Sequence, residues 1–94
     1  MENKMEEMQN CMINLYGVKH QVCKTCEELA ELNEILMKYI NKSGYDREHI
    51  LEEYVDVNFM LGQIKKMFLF TDEEIEQMEQ QKLDKIKEML NNGN

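Results

Sequence analysis

A chain of 94 residues, in which 19 acidic side chains face 11 lysines and arginines for a formal net charge of −8, reads as one domain over residues 1–94. A core of that size is marginal, and small folds gain stability from a metal or from oligomerisation. The charge argues against a nucleic-acid or anionic-membrane binder, because nothing here neutralises a row of phosphates, and makes cations the natural partner.

The opening MENKMEEMQN lacks the apolar stretch of a secretion signal. No apolar run approaches the roughly 20 residues of a membrane span, so a cytoplasmic protein that touches no membrane is expected. With no proline, four glycines and much Glu, Lys, Met, Gln and Leu, the chain should be nearly all helix. Met5, Met8, Met12 and Leu15 recur at helical spacing, which predicts a first helix over about 3–16, stopped at Gly17. A second runs from about Val18 to Asn41, with Leu29, Leu32, Ile35, Leu36, Tyr39 and Ile40 on one face and the turn Asn41-Lys42-Ser43-Gly44 at its end. Asp46 is the N-cap of a third helix, the most apolar of the four, carrying Ile50, Leu51, Tyr54, Val57, Leu61, Ile64 and Phe68 to about Leu69. Thr71 followed by Glu74 forms a capping box ahead of a last helix striped by Ile75, Met78, Ile86 and Met89, and the tail from Asn91 to Asn94 should fray. No solenoid-period repeat or linker interrupts this order, so the expected fold is all-α, a small bundle of four helices per chain completed by oligomerisation. Cys11, Cys23 and Cys26 cannot all pair, and a single Cys-x-x-Cys with His20 supplies too few ligands for a closed zinc site. They are expected as small buried hydrophobes, with His20 at the surface.

Nineteen acids in 94 residues prove nothing by number, and their position around each helix discriminates. With about 100° of rotation per residue, the apolar arc of the second helix centres near Leu32 and Leu36, which puts Glu28 about 60° and Glu31 about 120° from that centre. Glu27 and Glu34 fall about 150° or more away, as solvated carboxylates should. On the third helix, centred near Ile50, Leu61 and Phe68, Glu53 lies about 60° and Asp56 about 120° away, while Glu52 points outward. Each helix therefore carries one acid inside its apolar arc and another at the rim three residues on. Buried carboxylates at two matching places need something to offset desolvation and repulsion, and oxygen-only ligands favour Mg²⁺ or Mn²⁺. The bland reading is that Glu28 and Glu53 hug helix boundaries, paired with lysines such as Lys65 or Lys82.

The run Glu27-Glu28-Leu29-Ala30-Glu31 followed by Glu53-Tyr54-Val55-Asp56 resembles the E-E-x-x-E and E-x-x-D motifs of MazG-like nucleoside triphosphate pyrophosphohydrolases at all five acids. Tyr16-Gly17, Gln21 and an acidic, lysine-containing final helix extend the likeness over roughly residues 15–90. The resemblance implies an enzyme that cleaves a nucleoside triphosphate between its α- and β-phosphates. It also implies Glu28, Glu31, Glu53 and Asp56 as Mg²⁺ ligands, and a dimer or tetramer whose helices build the pocket jointly. By motif order Glu28 and Glu31 are the carboxylates nearest the attacking water's proton. Gln21, where family members carry a polar residue near the nucleotide, is a candidate base or sugar contact, or a satisfied buried amide. Asn58 has similar standing. Lys82, inside the apolar stripe of the last helix, either snorkels or meets a phosphate. Where many members end that helix with an arginine this chain has Lys85 and Lys87, which removes the ground for a bidentate phosphate clamp. A helical oligomer or regulatory module that keeps the acids without turnover, and a metal-free interaction bundle, are the competing readings.

Overall fold

The computed structural model describes residues 3–93, which form four helices and, among the described residues, no strand: α1 (Lys4–Tyr16), α2 (Val18–Ile40), α3 (Arg47–Met67) and α4 (Asp72–Asn91). Each boundary has a local cause. The Asn3 side chain accepts the Glu6 N–H (2.8 Å) to start α1. Asp46 accepts the Glu48 N–H (3.0 Å) to start α3. At α4 the Thr71 hydroxyl and the Glu74 carboxylate satisfy each other's backbone N–H groups, the reciprocal cap expected there.

One residue separates α1 from α2. Gly17 adopts φ 87°, ψ 162°, a region open essentially to glycine alone, and its N–H still closes on Ile13 O at 2.8 Å. A Cβ at this position would meet nothing within 4 Å, so the backbone alone sets the cost of a side chain. Gly17→Ala is therefore expected to destabilise by about 1–3 kcal/mol, read as a lowered urea midpoint; an unchanged midpoint would show that the α1–α2 bend tolerates another conformation.

α2 and α3 pack antiparallel, and α1 lies across α3 and, less extensively, α2. The faces that meet are more polar than the apolar arcs suggest. α2 buries Gln21, Thr25, Glu28 and Ile35, and α3 buries Glu53, Val57, Met60 and Gln63. At one end of this seam the Gln21 amide donates to Gln63 Oε1 (2.8 Å), both residues being 0% exposed, and Gln63 reaches Met60 Sδ at 3.5 Å. His20 Nδ1 donates to Gln21 Oε1 (2.8 Å), and the Thr25 hydroxyl bonds back to Gln21 O. α1 docks through Gln9, whose amide donates to Phe59 O (3.0 Å) over Gly62; a Cβ at Gly62 would occupy the place of that amide, which is why α3 has a glycine there.

The apolar stripes stand largely outside this seam. Leu29, Leu36, Tyr39, Leu51, Tyr54, Leu61 and Phe68 are all exposed, and only Ile35, Val57 and Met60 form a buried hydrophobic core among the described residues. α4 packs against none of the other helices; Lys65–Asp72 (2.6 Å) and the stacked Phe68 and Phe70 rings mark its junction with α3. That ion pair raises the Lys65 pKa and lowers that of Asp72. The three cysteines are exposed, which corrects their expected burial: the interior positions of α1 and α2 are taken by Gln9, Gln21 and Thr25 instead. His20 is at the surface, stacked on Tyr16 with centroids 5.0 Å apart. α4 ends at Asn91, the first residue of the expected tail, and Asn94 lies outside the described residues.

Candidate metal centre

The antiparallel seam that joins Gln21 to Gln63 brings the acids of the two helices level, two turns further along α2. Glu28 and Glu53 are 9% and 8% exposed, and each has one oxygen, Oε2, shut away from solvent without a hydrogen-bond partner. Such orphaned acceptors are rare in folded proteins, because an unpaired buried polar atom costs about 1–3 kcal/mol and a charged one more. Asp56, exposed at the rim, contributes a third carboxylate, and one oxygen from each of Glu28, Glu53 and Asp56 lies within 4.8 Å of the others. Three hard oxygen donors, two of them desolvated and unsatisfied, fit a small dication.

The electrostatics follow from that crowding. Burial, then the neighbouring Glu28 and Glu31 carboxylates, push the Glu53 carboxyl from its ordinary 4.5 up to about 7. Glu28 has partial relief: Lys24 Nζ stands 3.6 Å from its Oε1 and 3.4 Å from Glu27 Oε2. That arrangement raises the Lys24 pKa, chiefly through Glu27. Lys24 belongs to no motif, although a lysine four residues before a buried glutamate is a standard helical pairing. The lysines named beforehand as partners stand elsewhere, Lys65 on Asp72 and Lys82 on α4.

The remaining candidates divide. Glu31 is exposed and lies outside the trio, yet close enough to Glu53 to raise its pKa. Glu27, Glu34 and Glu52 are exposed, as their helical positions require. Asn58 is exposed two residues beyond Asp56. Gln21 is fully enclosed and offers no surface to a ligand, its amide being engaged by Gln63 and His20. Lys82 lines an open groove of about 640 Å³ with Phe70, Glu74, Ile75 and Met78, on a helix that packs against neither acid-bearing helix and meets α3 at its first residue, through Asp72. Next to the trio, a second cleft of about 310 Å³ runs from Glu53 along the α2–α3 seam to Lys38 and His49. Compared with known protein families, curated proteins and solved structures, the chain matches none.

Proposed function

We propose that the chain is a Mg²⁺-dependent nucleoside triphosphate pyrophosphohydrolase, cleaving a (d)NTP between the α- and β-phosphates to (d)NMP and pyrophosphate, with Mn²⁺ able to replace Mg²⁺. The observation that carries the proposal is the pair of buried, unpartnered oxygens of Glu28 and Glu53, converging with Asp56 from two packed helices. The reaction class rests on the likeness of these acids, together with Glu27 and Glu31, to the MazG-like pattern. In this reading Glu28, Glu53 and Asp56 hold the dication, and Glu31 turns in from the rim to complete the ligand set or to take the proton of the attacking water on its carboxylate. The dication, when bound, neutralises the polyphosphate and polarises the water that attacks the α-phosphorus. Burial of Glu28 and Glu53 keeps bulk water from the ligand oxygens and fixes their separation.

The test is direct. Incubating the protein with a panel of NTPs and dNTPs plus Mg²⁺ should release monophosphate and pyrophosphate; no release from any of them would remove the hydrolase and favour a silent helical oligomer. Independently of turnover, a cation that binds only the folded cluster stabilises it by mass action. Millimolar Mg²⁺ is expected to raise Tm by about 5 °C or more over EDTA, and no shift would count against the site.

The proposal includes a homo-oligomer, a dimer or a tetramer. In one chain Lys82 is carried on a helix remote from the acids, so a phosphate contact from Lys82 requires a neighbouring copy, while Asn58 is exposed on α3. The exposed Met78, Leu83, Ile86, Met89 and Leu90 of α4 give such a copy an apolar surface to cover. Sedimentation equilibrium is expected to return a multiple of 11.3 kDa, and a monomer at micromolar concentration would exclude a shared pocket.

A further inference from the structure

We infer that the cleft beside the acid trio is a polyphosphate seat, in which Lys38 and His49 grip the two phosphates that depart as pyrophosphate. The inference rests on the hydrolase reading for the identity of the ligand, but its geometry stands apart from it. The cleft, about 310 Å³, is lined by Glu31, Glu34, Ile35, Lys38, His49 and Glu53. Glu53 belongs to both sites: its buried carboxyl, with Oε2 unpartnered, closes the trio on one side and lines the cleft on the other. An anion anchored at the trio therefore has one continuous path along the seam.

Direction along that path is set by which donor side chains are free. At the Glu28 end, Lys24 is already committed to Glu27 and Glu28. At the cleft end, neither the Lys38 nor the His49 side chain makes a hydrogen bond or ion pair among the described residues, although Glu34 stands one helical turn before Lys38. His49 lies one turn before Glu53 on α3, about 6 Å along the axis, and Lys38 lies ten residues beyond Glu28 on α2, about 15 Å along it. Both are within a side chain's reach of an anion extending from the trio. The cleft also holds the Glu31, Glu34 and Glu53 carboxylates, so the polyphosphate enters as its Mg²⁺ complex, with the Lys38 ammonium supplying a point charge and the His49 imidazole N–H a directed donor.

Binding of inorganic pyrophosphate in the presence of Mg²⁺, measured by calorimetry on the full chain, tests this. Lys38→Gln and His49→Gln are each expected to weaken pyrophosphate binding by about tenfold or more, a lost charge-assisted contact. Lys19→Gln, an exposed lysine at the far end of α2, should leave binding unchanged. Both cleft variants should keep the full Mg²⁺-induced rise in Tm, which shows that they fold and that the trio is intact. Wild-type affinity in both, no pyrophosphate binding by the wild type, or loss of the Mg²⁺ shift in either variant would each overturn the seat. If the wild type releases no pyrophosphate from any triphosphate yet binds it through Lys38 and His49, the hydrolase reading falls and the seat stands. Turnover with KM unaltered in both variants removes the seat and leaves the hydrolase.

Discussion

Glu53→Gln is expected to abolish pyrophosphate release while leaving the metal-free fold as stable as the wild type or more so, by on the order of 1 kcal/mol at neutral pH and above. Glu53 is 8% exposed, has one orphaned oxygen and faces Glu28 and Glu31, so in the absence of a cation its charge is opposed by burial and by repulsion. Gln keeps the volume and removes the charge. Its loss also takes one of three close carboxylates from the candidate ligand set, which should cripple Mg²⁺ binding and the attack that depends on it. The pH dependence has a definite sign. With the carboxyl raised from 4.5 to about 7 in the folded protein, the native state holds a proton that the unfolded chain has released between those values. This contribution to stability is therefore complete below about 4.5 and lost as pH rises through about 7. Metal-free urea midpoints of the wild type should fall across that window, and Glu53→Gln should remove this share of the slope. Glu52→Gln, exposed one residue away, should change neither activity nor slope. Activity lost in Glu52→Gln and kept in Glu53→Gln would overturn the ligand set.

The second large effect is a double-mutant cycle at the other end of the seam. Gln21→Leu and Gln63→Leu are each expected to cost about 1–3 kcal/mol, because each strands the other amide in a fully enclosed position. In Gln63→Leu the Gln21 Nε2 group has no acceptor, and in Gln21→Leu the Gln63 Oε1 atom has no donor. The double variant leaves no orphan in the pair and should recover much of the loss, with an interaction energy of about 1 kcal/mol or more opposing the sum of the singles. Urea denaturation of the four proteins measures this. Simple additivity would mean that water or local rearrangement already satisfies the stranded amides.

That seam also marks where the residues were legible beforehand and where they were not. Helix order, the bend at Gly17 and the caps at Asp46 and Thr71–Glu74 were readable because each depends on a few adjacent residues. The burial of Glu28 and Glu53 was readable because helical periodicity places acids on faces, and the two expected intrusions are the two buried glutamates. The centre of each face was not. The apolar pattern centres the buried arc of α2 on Leu32 and Leu36, whereas the arc runs through Gln21, Thr25, Glu28 and Ile35. Glutamine and threonine look like surface residues until a partner 42 positions away satisfies them, as Gln63 does for Gln21. Hydropathy also registers an apolar face without saying what covers it, so the exposed Leu29, Leu36 and Tyr39 read the same as core. The rotated centre moves Glu28 into the middle of the interface and leaves Glu31 outside the trio. The cleft side chains Lys38 and His49 carry no motif; only the antiparallel pairing of α2 and α3 places them together.

The isolation of α4 carries a consequence for how the molecule opens. A 20-residue helix held by a capping box and one exposed ion pair, with no helix against its side, has little beyond its own propensity to resist fraying. In a dilute sample its amide protons should exchange with deuterium near the rate of a free helical peptide, while those of α2 and α3 along the Gln21–Gln63 seam wait for global unfolding. Concentrating the protein would slow exchange in α4 selectively if a second copy covers Met78, Ile86 and Met89, so the exchange map read against dilution reports on association residue by residue.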